Sequence, residues 1–83
     1  MRLDVLLHEL RLYKSRSQAQ AAIAAGHVLL NDERRKPSHD VRAGDRLTFT
    51  GEHHRRTVEV LELPRGSLSK EAAKALVREV GGE

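Results

Sequence analysis

The chain has 83 residues, enough for one domain with one modest core, and its single Phe, single Tyr and absence of Trp make that core aliphatic. This composition excludes an aromatic platform that stacks successive bases of a single strand. With no cysteine, a disulfide framework and a thiolate metal site are also excluded, as suits a reducing cytoplasm.

The formal charge is +3, and it is unevenly placed: residues 1–50 hold nine Lys/Arg against six Asp/Glu, while residues 51–83 hold six of each. Such an excess points to an anionic partner, most often nucleic acid. The first apolar run, MRLDVLLHEL, contains acids, so it is expected to be neither a signal peptide nor a membrane span.

In chain order, Leu3, Leu6, Leu7 and Leu10 recur at i, i+3, i+4 and i+7, the stripe of an amphipathic helix over Arg2–Leu12. Asp4 falls in its first turn, where a carboxylate favours the helix dipole and can reach a neighbouring base. Ser15 stands three residues before Gln18, the spacing of a capping box, and an Ala-rich run comes next. A second helix is expected from Ser15 to Gly26, with the small Ala19 and Ala22 and Ile23 facing inward.

HVLLN is β-prone and ends at Asn31-Asp32, a turn-forming pair. VRAGD reads as a turn before the strand RLTFT, and residues 51–54 are expected to link that strand to RTVEVLEL as an antiparallel hairpin. Beyond Pro64-Arg65-Gly66, Ser69 caps a final helix with Ala72, Ala73, Leu76, Val77 and Val80 along one side. The order predicts an α+β fold.

From Leu10 to Leu30 there are three cations, Arg11, Lys14 and Arg16, and no acid. Cations at a helix start are locally unfavourable, by about 0.3–1 kcal/mol, unless an anion sits there. The free N–H groups and positive dipole end of the second helix form such an anion site, to which Lys14 and Arg16 add full charges. Ser15, Ser17 and Gln18 can donate to phosphate or ribose oxygens. Arg34, Arg35 and Lys36 would extend the patch across the hairpin, and Arg11 would extend it from the first helix.

No catalytic or metal site is expected. His53 and His54 are adjacent, so on a strand they point to opposite faces, and no His pair has ligand spacing. No base is marked for Ser15, Ser17 or Ser38.

These elements also carry a resemblance. In order, RLD opens the first helix, KSRSQA opens the second, AGHVLLN crosses from helix to strand, and KPSHDVRAGD forms the hairpin and its exit. This arrangement over residues 2–50 resembles the S4 RNA-binding domain, and RRTVEVLELPRGSLSKEAAKALV is similar to the strand and helix that succeed the domain in small, ribosome-associated heat-shock members of the family.

The resemblance implies two packed N-terminal helices of an αL motif beside a small, mostly antiparallel sheet, with a C-terminal helix. Residues 1–50 would form the S4 core, and 51–83 an additional strand and helix of the same single domain. The resemblance places RNA contacts on Lys14, Ser15, Arg16, Ser17 and Gln18, then on Asn31, Arg34, Arg35, Lys36 and Ser38. It implies a binder of structured RNA, above all ribosomal RNA of the large subunit, acting in ribosome rescue or recycling without a cofactor. A cytoplasmic location is expected from the missing cysteines, and a monomer is the favoured state where the sequence itself leaves oligomerisation open. The alternatives are a tRNA or other RNA target, or a protein adaptor docking through the last helix.

Overall fold

The computed structural model describes residues 1–50, 55–66 and 68–82. Helix α1 spans Leu3–Glu9 and α2 spans Arg16–Ala24. Strands β1 (Val28–Leu30), β2 (Arg46–Thr50), β3 (Arg55–Val60) and β4 (Val77–Gly82) form an antiparallel meander in that order, with a short α3, Lys70–Lys74, before the last strand. The fold is α+β.

The Leu stripe forms as expected: Leu3, Leu6 and Leu7 are fully buried and Leu10 nearly so. Each such side chain contributes about 2 kcal/mol by leaving water. On the sheet, Leu30 lies opposite Leu47, Leu47 opposite Val58 and Val60 opposite Val77. This face joins the α1 leucines, Ala19, Ile23 and Val41 in one core. On the other face the hydroxyls of Thr48 and Thr57 pair across strands at 3.0 Å, which satisfies the buried Thr48.

α1 stops short of Leu12. Arg11 turns left-handed at φ 59°, its N–H donates to the His8 carbonyl, and the Leu12 N–H donates to the Leu7 carbonyl. This is a Schellman end built on a non-glycine residue, with no Gly in the sequence to announce it. α2 ends in the same way on Gly26, at φ 82°.

The last helix differs most from expectation. Ser69 caps it, accepting from the Ala72 N–H at 3.2 Å, but the helix ends at Lys74. Val77–Gly82 instead pairs with β3, because β3 has a free edge and a β-branched residue opposite Val60 buries better in a ladder than in a helix carrying two glycines. Leu76 and Val77 pack against the core. The adaptor reading therefore loses the helical docking face it assumed. The link at 51–54, with His53 and His54, lies outside the described residues.

Candidate nucleic-acid interface

The start of α2 is built as the sequence suggests. Ser15 is extended (φ −151°, ψ 163°) and its Oγ accepts the Gln18 N–H at 3.1 Å, so its acceptor capacity serves the helix. Arg16, Ser17 and Gln18 are exposed in the first turn, which contains no acid.

The organising group beside this turn is Asp4. Its carboxylate is fully buried, yet it accepts from Arg2 Nε and Nη2 (both 3.1 Å), from Gln20 Nε2 (2.8 Å) and from the Val5 N–H (2.8 Å). The Arg16 guanidinium lies 3.7 Å away. Burial pushes the Asp4 carboxyl up, but the hydrogen bonds from Gln20, Arg2 and Val5 and the Arg2 charge outweigh it and leave it below the usual carboxylate range. One buried anion thus ties α1 to α2 and holds two half-exposed guanidinium groups at the surface.

The hairpin supplies the second part. Asn31 and Asp32 both have positive φ, 52° and 66°, and Leu30 and Glu33 exchange backbone hydrogen bonds of 2.8 and 3.1 Å around them. This is a two-residue turn of the type-I′ class, in which Asn is well tolerated. The Asn31 side chain is occupied: Oδ1 accepts the Arg46 N–H at 3.0 Å and Nδ2 donates to Asp45 at 3.2 Å.

After the turn, Arg34 reaches back to α2 and donates from Nη2 to the Ala24 carbonyl at 2.7 Å. It covers one of the unsatisfied acceptors at that helix's end, where a cation suits the dipole. A Cβ on Gly26 would meet the Arg34 Cζ at 3.3 Å, so glycine serves both the left-handed turn and this approach. Arg35 pairs with Glu33 and remains 38% exposed. Lys36 and Ser38 are exposed.

The segment then closes onto α1: the Leu3 N–H donates to the His39 carbonyl (2.9 Å) and the Asp4 N–H to the Pro37 carbonyl (3.1 Å). These carbonyls satisfy the first donors of α1, whose N-cap residue, Arg2, makes no side-chain cap. Residues 34–39 therefore run from the end of α2 to the start of α1, and Asp4 joins that start back to α2.

Of the residues proposed from sequence, Arg16, Arg34, Arg35 and Lys36 belong to this closed arrangement, with Ser17 and Gln18 exposed on its helical turn and Ser38 on its loop. Ser15 and Asn31 lie within it with their side chains hydrogen-bonded to backbone. Arg11 and Lys14 line a different region, beside Leu68 and Lys70, and Arg11 Nε donates to the Leu68 carbonyl at 2.7 Å. Sequence reasoning missed Arg2 and Gln20. The signal was present: Gln20 lies four residues after Arg16, hence on the same helix face, and Arg2 sits two residues before a carboxylate already expected to recruit a base.

The S4 domain family model matches residues 1–47. Over 73 residues the chain is 38% identical to the RQC P-site tRNA stabilizing factor of Bacillus subtilis (strain 168), covering 88% of this chain and 85% of that protein. Its fold superposes on Heat Shock Protein 15 of Vibrio cholerae, described as a trimeric structure, with a TM-score of 0.89 and 32% identity over 96% of this chain and 81% of that one.

Proposed function

The chain belongs to the S4 domain family, and we propose from that premise that it is a cytoplasmic, monomeric RNA-binding protein that recognises structured RNA by shape and charge. The observation that carries this reading is the buried Asp4, which fixes Arg2 and Arg16 beside a hairpin bearing Arg34, Arg35 and Lys36. A rigid array of cations fits the regular phosphate spacing of a folded RNA, and preorganisation lowers the ordering cost of binding. The contacts are Arg2, Arg16, Ser17, Gln18, Arg35, Lys36 and Ser38, with Ser15, Asn31 and Arg34 shaping the surface that presents them.

The target we favour is ribosomal RNA of the large subunit, in rescue or recycling of stalled ribosomes. The B. subtilis relative is named for stabilising P-site tRNA, which supports a second reading in which tRNA held on the ribosome shares the face. Co-sedimentation with separated ribosomal subunits, with and without bound tRNA, at low salt and at about 0.15 M salt, distinguishes them. Large-subunit binding without tRNA is the expected result, strict tRNA dependence favours the second reading, and equal binding to any RNA at low salt alone removes the ribosomal role.

A further inference from the structure

A second basic surface lies around the turn between α1 and α2. That turn, with Leu68 and Lys70, borders a half-open surface cleft of about 570 Å³. Its walls include Leu12, Tyr13 and Leu68, each half-buried, and its rim carries Arg11, Lys14 and Lys70. One carboxylate, Glu9, stands against these three cations.

The site is held in shape at both ends. Arg11 has the left-handed φ of 59° and its Nε is fixed on the Leu68 carbonyl, which sets the guanidinium at the cleft. The Tyr13 ring is braced by Phe49, with centroids 6.4 Å apart and planes inclined by 48°. Among the described residues, the Tyr13 hydroxyl makes no hydrogen bond and Lys14 and Lys70 form no ion pair.

A cleft with one aromatic wall, flanking aliphatic side chains and a cationic rim fits a ligand that is flat and apolar at one end and anionic at the other. We propose that it takes a single unpaired nucleotide of the bound RNA, with the base against Tyr13, Leu12 and Leu68 and the phosphate among Arg11, Lys14 and Lys70. One tyrosine suits one base, in keeping with a composition too poor in aromatics for a run of them. The site rests on the proposed RNA-binding function but uses residues apart from the α2 and hairpin face. Lys70 is its most discriminating member, because it is exposed and its side chain makes no hydrogen bond to a described residue.

The test is an NMR titration of the full chain with uridine 5′-monophosphate, with uridine, and separately with a blunt RNA duplex. The nucleotide is expected to shift the signals of Leu12, Tyr13 and Leu68, more strongly than uridine does, whereas the duplex shifts those of Arg16, Ser17 and Lys36. Lys70→Ala should raise the Kd for the nucleotide roughly threefold and leave that for the duplex unchanged. If the nucleotide moves only signals of the α2 and hairpin face, or K70A leaves its Kd unaltered, the cleft assignment is overturned while the duplex arm still upholds RNA binding. If neither RNA ligand shifts any signal, both readings fall together.

Discussion

Asp4 is the residue on which fold and interface meet, so its removal makes the most informative perturbation. Asp4→Ala deletes the acceptor of hydrogen bonds from Arg2, Gln20 and the Val5 N–H. Hydrogen bonds to charged groups contribute about 1.5–3 kcal/mol each when both partners are buried. Here the Arg2 and Arg16 side chains are 50% and 51% exposed and regain water when released, so the net loss is set mainly by Gln20 and Val5. The expected cost is about 2 kcal/mol, which lowers Tm by about 10 °C in a domain of this size.

Asp4→Asn preserves the volume but turns an NH2 group toward donors, and is expected to cost a similar amount. The folded carboxyl lies below its unfolded value, so its stabilisation is complete above the unfolded pKa of about 3.9 and is lost as pH falls through the folded one. The stability gap between wild type and D4N should therefore be full at about pH 7 and narrow progressively as pH falls below the unfolded value of about 3.9. Asp40, also held down by the hydrogen bond and charge of the terminal ammonium, titrates in the same acid range but is present in both proteins and cancels. Urea unfolding across this range measures the gap. A gap that stays constant from about pH 7 to about pH 2, or one below about 0.5 kcal/mol at neutrality, would refute the reasoning.

Gly26→Ala should cost about 1 kcal/mol from the positive φ and push Arg34 off the Ala24 carbonyl, so thermal melts and RNA binding should both decline. Asn31→Ala removes two side-chain hydrogen bonds and forces alanine to a φ of 52°, and a loss of about 2 kcal/mol is expected by urea unfolding. Thr48→Val leaves the half-buried Thr57 hydroxyl without its partner and should cost about 1 kcal/mol without altering RNA affinity.

The elements legible in the sequence were those governed by local rules. The leucine spacing marked α1, Ser15 and Gly26 bracketed α2, and Asn31-Asp32 marked the hairpin turn. Where tertiary partners decided, local rules were silent. α1 ends at an arginine in a left-handed turn, and its first donors are satisfied by carbonyls from Pro37 and His39, far away in sequence. Val77 and Val80 have helical spacing with Ala73, but the free edge of β3 claims them as a strand.

The candidate site was legible as a charge pattern and not as a structure. Arg16 and the Arg34–Lys36 run stood out because no acid neighbours Arg16 and three cations are consecutive. Sequence could not show that a buried aspartate would gather Arg2, Gln20 and Arg16, that Arg34 would cap α2, or that the turn at Arg11 would carry it and Lys14 toward Leu68. Each of these depends on a contact between residues distant in the chain.

The central claim is that the cations of the α2 and hairpin face hold structured RNA through its phosphates. The most direct measurement is the affinity of the chain for a folded ribosomal RNA fragment as a function of salt, for wild type and for the Arg16→Ala/Lys36→Ala double variant. With a phosphate on each of Arg2, Arg16, Arg35 and Lys36, log K should fall against log salt with a slope of about −2.8 to −3.6, and the variant should be shallower by about 1.4 to 1.8 while remaining folded. A variant with wild-type affinity and an unchanged slope would contradict the account and place the RNA on another face.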